Sequence, residues 1–311
     1  MIIEVVNLIK RYKELTALDN FNLSVKEGEI YGLLGPNGSG KTTAINSILS
    51  LLKYDSGSIK VFGEVMSPIN YKVKRRIGYV PQEVAVMEEL TVRENIDLFC
   101  GLYVEDAKLR KKYVEEAMDF VEISSFQKYT PKKLSGGLKR RLNIACGIAH
   151  KPELIFFDEP TVAVDPQSRN NILEGIQKLN QMGSTIVYTS HYMEEVEQIC
   201  TNITIMDKGK NLITGDTEEL KKAVGLSDKL IIKNHNIDEE NIKKIKNIEF
   251  VEGIAHENGT LEVSISNDIA IGTIINLLKN SNVYYGSLNL KEPNLNDVFL
   301  SITGKELRDN V

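Results

Sequence analysis

One eight-residue segment constrains the fold of this chain more than any other feature of its 311 residues. Gly35-Pro36-Asn37-Gly38-Ser39-Gly40-Lys41-Thr42 matches the pattern G-x-x-x-x-G-K-[ST]. It directly follows an apolar run, residues 29–34, that predicts a buried strand, and residues 42–52 after it have helical character. A glycine-rich turn between a strand and a helix points its backbone N–H groups at a phosphate chain, and the helix N-terminus adds favourable potential. We therefore expect a phosphate-binding turn in an α/β fold.

The last residues of this turn suggest two further roles. The Lys41 ammonium is expected to reach the terminal phosphates, and the Thr42 hydroxyl is expected to bind Mg²⁺. The residues expected to bind the phosphate-bearing ligand from this turn are Gly35, Pro36, Asn37, Gly38, Ser39, Gly40, Lys41, Thr42 and Thr43.

Two carboxylates follow a second apolar run, residues 154–157. A strand that ends in Asp158 and Glu159 delivers both carboxylates to the sheet edge where the phosphate turn lies. Asp158 suits a Mg²⁺ role, and Glu159 suits the polarisation of an attacking water. A strand that ends in acids is often only a solvated turn, so this interpretation depends on the phosphate turn.

The chain divides into two unequal parts. Residues 1–215 alternate apolar runs with helical stretches, as in a largely parallel α/β domain, and residues 83–151 predict a helical insert. A linker is expected at 216–227. Residues 228–311 predict the order β-α-β-β-α-β, with a hairpin turn at Asn258-Gly259 and a last helix at 295–302, which is the ferredoxin-like order of an α+β domain.

Composition excludes several classes of protein. The net charge of −5 disfavours a nucleic-acid partner, whose binding domain is usually basic. No apolar run approaches the roughly 18–20 residues that a membrane-spanning helix needs. The first residues have no secretory signal, which predicts a cytoplasmic protein. The three cysteines form no C-x-x-C pair, so neither zinc nor a disulfide framework is expected.

A third segment makes the chain resemble a known family. Ser135-Gly136-Gly137 opens a basic helix, and it lies between Gln82 and Asp158 in an order that begins with the phosphate turn and ends at His191. This order, over about residues 2–215, resembles the nucleotide-binding subunit of ATP-binding-cassette (ABC) transporters. The Ser-Gly-Gly signature separates that family from other phosphate-loop ATPases.

The resemblance implies a phosphate-loop ATPase core whose cofactors are ATP and Mg²⁺. It implies a homodimer, or a pseudo-symmetric dimer, in which each ATP lies between two chains. The implied roles are adenine stacking by Tyr12, Mg²⁺ contact and signalling to the helical insert by Gln82, closure over the opposite chain's ATP by Ser135, Gly136 and Gly137, an interface contact by Asp165, and γ-phosphate contact by His191.

Two departures and the tail refine this resemblance. Leu138 stands where a polar residue is common, and Val162-Ala163-Val164 stands where Gly-Leu is usual. Neither removes a phosphate-contacting group. Residues 292–300 and 303–308 look like the end of bacterial drug- and antibiotic-exporter ATPases of the daunorubicin-resistance type, which work with a separate membrane permease.

The expected function is therefore an ATPase that powers efflux of a drug, antibiotic or other amphipathic substrate. Through its permease the chain would lie on the inner face of the cell membrane. An importer ATPase shares every core motif, and only the tail disfavours it. A soluble ABC ATPase acting on ribosomes or DNA is the other alternative, disfavoured by the single phosphate turn and the absence of sustained heptads.

Overall fold

The structure is a computed structural model that describes residues 1–257 and 259–304. The chain divides into two compact units, Met1–Thr217 and a second unit that begins at Glu218. The strands of the first unit are β1 (Ile3–Tyr12), β2 (Leu15–Val25), β3 (Ile30–Leu34), β4 (Ser56–Val61), β5 (Glu64–Val65), β6 (Ile77–Val80), β7 (Leu154–Asp158), β8 (Thr185–Ser190), β9 (Asn202–Asp207) and β10 (Lys210–Gly215). Its helices are α1 (Lys41–Ile48), α2 (Tyr71–Lys74), α3 (Val92–Gly101), α4 (Ala107–Phe120), α5 (Gly136–Ile148), α6 (Pro166–Gln181) and α7 (Met193–Ile199), and α8 (Thr217–Ala223) begins at the boundary.

A six-stranded sheet in the order β10-β9-β3-β8-β7-β6 positions the candidate site. All neighbouring pairs from β9 to β6 are parallel, so their carboxyl ends meet at one edge. Every residue of β3, β7 and β8 is buried, as expected for strands covered on both faces. In the register, Leu34 lies beside Ser190 and Asp158 beside Thr189. The segments that follow β3, β7 and β8 therefore converge.

A second sheet in this unit, β2-β1-β4-β5, is antiparallel and differs from the expected largely parallel domain. Its strands pack Leu8, Phe21 and Ile59 into a common core with β3 and α1. Asn7 and Asn20 have left-handed backbones, with φ of 49° and 53°. Such residues interrupt the two-residue alternation by which a half-buried strand is recognised.

Helix α1 ends at Ile48, before the expected end at residue 52. Ser50 has a left-handed backbone with φ of 52°, which terminates the helix two residues beyond its last turn. Residues 83–151 contain α3, α4, α5 and two 3₁₀ turns, without a strand. The three helices begin at side-chain N-caps, Thr91, Asp106 and Ser135.

The second unit has the order β11 (Asp228–His235), α9 (Glu239–Lys246), β12 (Val251–Glu257), β13 (Thr260–Ile265), α10 (Ile269–Asn280), β14 (Tyr285–Lys291) and α11 (Leu295–Thr303). Its antiparallel sheet, β12-β13-β11-β14, confirms the ferredoxin-like prediction. Leu230, Ile232, Leu261, Val263 and Ile274 form its apolar core. Asn258 of the expected hairpin turn, and residues 305–311 with part of the tail resemblance, lie outside the described residues.

Candidate functional site

The turn between β3 and α1 requires glycine at two positions. A Cβ atom on Gly35 would lie 2.3 Å from the carbonyl oxygen of Met206, and one on Gly40 would lie 2.7 Å from that of Ala17. Gly40 also has φ of 110°, which L side chains rarely adopt. The Lys41 Nζ donates to the carbonyl of Gly35 at 2.8 Å and to that of Pro36 at 3.2 Å, so the lysine lies inside its own turn.

Glu159 is the side chain on which the predicted site residues meet. Its Oε1 forms an ion pair with Lys41 Nζ at 3.0 Å, and both side chains are almost fully buried. Its Oε2 accepts a hydrogen bond from Gln82 Nε2 at 3.2 Å and lies 3.1 Å from Nδ1 of His191. The structure thus brings together residues from four separate segments of the chain.

The surroundings of Glu159 keep its carboxylate ionised. Burial by itself raises the pKa of this group, but the hydrogen bond with His191 and the charge of Lys41 outweigh it and lower the pKa below its ordinary value. Glu159 also has a left-handed backbone, with φ of 46°. Backbone strain of this kind clusters at functional sites.

Asp158 has a different environment. Burial raises its pKa, while the Thr189 and Thr42 hydroxyls lower it. Its Oδ1 accepts from Thr189 Oγ1 at 2.7 Å, and the same hydroxyl accepts from the Glu159 backbone N–H at 2.9 Å. The other oxygen, Oδ2, is buried and has no hydrogen-bond partner among the described residues. Thr189 was not anticipated from the sequence, because a threonine inside an apolar strand gives no signal there.

The oxygen atoms at this point fit Mg²⁺. Asp158 Oδ2 is buried without a hydrogen-bond partner among the described residues, and the Thr42 hydroxyl interacts with the same carboxylate; such oxygen atoms are the hard ligands that Mg²⁺ prefers. Within the described residues no cluster of three or more His, Cys, Asp or Glu side chains could hold an ion alone. Mg²⁺ commonly takes its remaining ligands from water and substrate phosphates.

A cleft of about 600 Å³ opens above this turn. Tyr12 lies at its rim with 44% of its surface exposed, and the Lys10 ammonium lies 4.9 Å from the centre of its ring. A half-exposed aromatic ring therefore lies at the mouth of the cleft. The residues that line the cleft are Tyr12, Leu15, Thr16, Ala17, Asn37, Gly38, Gly40, Lys41, Thr42, Thr43, Gln82, Glu159 and Lys208.

The Ser-Gly-Gly segment lies apart from this cleft. The Ser135 side chain accepts from the Leu138 N–H at 3.3 Å and caps α5, and both Ser135 and Gly136 are exposed. Asp165 is also exposed and caps α6, accepting from the Ser168 N–H at 3.0 Å. None of these residues is among the described residues that line the cleft. The signature thus presents an outward surface.

Two buried polar residues of α5 connect the signature helix to the site. Arg140, only 4% exposed, donates to the carbonyl of Pro81 at 3.0 Å and to that of Glu159 at 3.2 Å. Asn143 donates to the same Pro81 carbonyl at 3.1 Å. Sequence reasoning identified only a basic helix here, since the sequence does not reveal which of three adjacent cations faces inward.

The fold and these contacts define a phosphate-loop ATPase. Residues 18–162 match the family model described as ABC transporter, and residues 215–303 match the ATP-binding protein DrrA1-3-like, C-terminal domain. The chain belongs to the family of ABC transporter ATP-binding proteins and is an ATPase of that family, which confirms the resemblance.

Relatives of this chain include proteins of known name. It is 39% identical over 306 residues to the linearmycin resistance ATP-binding protein LnrL of Bacillus subtilis (strain 168), covering 97% of this chain and 98% of the relative. It is 32% identical over 310 residues to the daunorubicin/doxorubicin resistance ATP-binding protein DrrA of Streptomyces peucetius, covering 99% and 94%. A dimeric structure of a post-hydrolysis state of the ATP-binding cassette MJ0796 bound to ADP and Pi superposes with a TM-score of 0.64 and 28% identity, over 69% of this chain and 98% of that one.

Among the described residues, none of the helices combines the length and apolar content needed to cross a lipid bilayer.

Proposed function

We propose that this chain hydrolyses MgATP at two composite sites of a head-to-tail homodimer and so powers an exporter. The exported substrate is a drug, antibiotic or other amphipathic molecule that leaves through a separate membrane permease. The observation that carries this proposal is the convergence of Lys41, Gln82 and His191 on Glu159, at the floor of a cleft rimmed by Tyr12. The relatives named for linearmycin and daunorubicin resistance support the export direction.

In this proposal each residue has a defined task. Lys41 exchanges its contact with Glu159 for the terminal phosphates of ATP, which frees the carboxylate to accept a hydrogen bond from water. The water oxygen bonds to the γ-phosphorus, the bond to the β–γ bridging oxygen breaks with its electron pair going to ADP, and a water proton passes to Glu159. His191 holds a γ-phosphate oxygen. Thr42, Asp158 and Gln82 would hold Mg²⁺, which would supply positive charge to the phosphates.

The exposure of the signature supports an arrangement in which it acts on the ATP of a second copy. Ser135 lies at the N-terminus of α5, where backbone N–H groups and the helix dipole favour an anion. Asp165 projects from the neighbouring start of α6, since a Cβ on Gly137 would lie 3.8 Å from its Oδ2. Together they form one outward patch for the partner's nucleotide.

An apolar groove of about 510 Å³ provides a surface for the permease. Leu51 and Leu102 in its lining are each more than 60% exposed, and Asn143 in the same lining contacts Pro81 next to Gln82. An apolar cytoplasmic segment of the permease bound in this groove would be connected to the ATP site through Asn143 and Pro81. This contact would keep the chain on the inner face of the membrane.

Mixing two inactive variants tests the composite site. Ser135→Arg damages only the signature and Lys41→Ala only the phosphate turn, so each alone should abolish phosphate release. A mixed dimer pairs the intact turn of the first chain with the intact signature of the second, and we expect turnover to return. Lys108→Ala, which replaces an exposed lysine of α4, is the matched control for Lys41. If the mixture stays inactive while both variants still dimerise, the signature does not act across chains.

A further inference from the structure

One buried carboxylate outside the cleft has no task in this scheme. Glu195 in α7 is 3% exposed. Its Oε2 accepts hydrogen bonds from three hydroxyls, those of Thr161 at 2.9 Å, Tyr188 at 2.7 Å and Ser190 at 2.8 Å. Its Oε1 forms an ion pair with Nε of Arg169 at 3.2 Å. Burial of a charged carboxylate costs desolvation free energy, which hydrogen bonds and an ion pair must offset. These contacts therefore fix the relative positions of the segments that supply them.

The hydroxyl donors lie next to residues of the site. Thr161 begins the loop that leads from Glu159 to Asp165. Ser190 immediately precedes His191, and its hydroxyl also accepts from the backbone N–H of Tyr192 at 2.9 Å. Glu195 therefore holds both the loop that faces a second copy and the turn that carries the histidine.

Arg169 extends this contact to the histidine ring. Its guanidinium lies 4.6 Å from the centre of the Tyr192 ring, in a cation–π arrangement. The Tyr192 ring lies 4.1 Å from the His191 ring, tilted by 41°. An uninterrupted series of contacts thus runs from Glu195 through Arg169 and Tyr192 to the imidazole.

We propose that Glu195 is a positioning residue for ATP hydrolysis, which acts through His191. The proposal rests on the proposed function, in which His191 contacts the γ-phosphate. Because Glu195 also holds Thr161, a displacement of the loop that reaches Asp165 alters the position of the histidine. Engagement of that loop by a second copy is thereby transmitted to the imidazole.

The first test is Glu195→Gln, which keeps the size of the side chain and removes its charge. We expect kcat to fall about tenfold or more while the KM and Kd for ATP change by less than about twofold, because the substitution affects chemistry and not uniform binding. Glu194→Gln makes the same change at an exposed neighbour on α7 and should leave kcat unchanged. A purely structural role for Glu195 predicts a lower melting temperature with wild-type kcat in the folded protein, and that result overturns the proposal.

A double-mutant cycle with His191→Ala shows whether the effect passes through the histidine. Single-turnover hydrolysis should fall no further when Glu195→Gln is added to His191→Ala. An equal fold-loss in both backgrounds overturns the positioning role and leaves the proposed function intact. Wild-type hydrolysis by His191→Ala alone contradicts the proposed function itself, and the inference falls with it.

Tyr192→Leu provides a second route if Glu195→Gln does not fold. It interrupts the contact between Arg169 and His191 and leaves the buried carboxylate in place. The chain has four histidines, so its imidazole NMR signals are few. We expect the His191 signals to shift and kcat to fall in Tyr192→Leu, with the signals of His235 in the second unit unchanged. Unchanged His191 signals with wild-type kcat refute the proposal.

Discussion

Replacement of Glu159 by Gln separates the catalytic task of this residue from its structural one. The substitution preserves shape and removes the charge that faces Lys41 at 3.0 Å and His191 at 3.1 Å. Loss of a general base typically costs about 10²–10⁴-fold in rate, or about 3–5 kcal/mol of transition-state stabilisation. We expect turnover to fall within this range.

The cost to stability should be smaller than for an ordinary buried ion pair. Removing one partner of such a pair typically costs about 3–5 kcal/mol, because the other charge is left uncompensated. Here the Lys41 ammonium keeps two carbonyl acceptors, at 2.8 and 3.2 Å. We therefore expect a loss of about 1–2 kcal/mol in the free energy of unfolding. ATP affinity should be unchanged or higher, because Lys41 no longer has to leave a carboxylate.

The stability difference should also depend on pH. The pKa of Glu159 is lowered in the folded chain, so its contribution is complete above the ordinary glutamate pKa and is lost as pH falls through the lower folded value. The difference in the free energy of unfolding between wild type and Glu159→Gln should consequently become smaller below about pH 5.

Three measurements check this prediction: phosphate release, nucleotide titration and urea unfolding between neutral and acidic pH. Glu105→Gln, an exposed change of the same kind, is the control. A Glu159→Gln chain that hydrolyses ATP at the wild-type rate refutes the assignment of the base. A stability gap that widens on acidification refutes the charge argument.

Three further predictions concern the support of the site and the tail. Thr189→Val is nearly isosteric but leaves Asp158 Oδ1 and the Glu159 N–H without the hydroxyl that both use; urea unfolding should show a loss of about 2 kcal/mol or more, and no loss would contradict it. Ala163 has φ of 58°, a left-handed backbone that costs a residue with a Cβ atom about 1–2 kcal/mol. The Ala163→Gly chain should therefore unfold at an equal or higher urea concentration than wild type, whereas Ala107→Gly in α4 should unfold at a lower one. A chain that ends at Gly225 should have a Kd for ATP within tenfold of that of the full chain, which is a difference of at most about 1.4 kcal/mol in binding free energy. A larger loss of affinity, measured by calorimetric titration of the folded protein, would place the second unit in the ATP site.

The sequence was sufficient to predict those parts of the structure that depend on local pattern. The phosphate turn, the acidic end of β7 and His191 after β8 meet because parallel neighbouring strands bring their carboxyl ends to one edge. The predicted order of strands and helices in the second unit is the observed order, and the last helix, expected at 295–302, ends one residue later. There, alternation is regular and the elements are short.

The parts that could not be predicted depend on contacts between distant segments. The inward orientation of Arg140 is decided by the packing of α5 against the carbonyls of Pro81 and Glu159. The network around Glu195 joins Thr161 and Ser190, which are far apart in sequence. Leu295, Val298 and Phe299 share one face of α11, and all three are buried within the chain, which their helical spacing alone does not decide.

The hydrogen bonds of Arg140 anchor α5 at a point nearer to its N-terminus than to its C-terminus. The helix has 13 residues and is about 20 Å long. If the bonds to Pro81 and Glu159 hold, a rigid tilt pivots at Arg140, which lies about 6 Å from the signature end and about 12 Å from the Ile148 end. A push of about 2 Å at Ile148 then moves the signature by about 1 Å in the opposite direction. Because Arg140, the pivot, is hydrogen-bonded to the carbonyl of the proposed base, such a tilt would displace the signature, which is the segment proposed to contact the partner's ATP. Glu159 itself would stay nearly still.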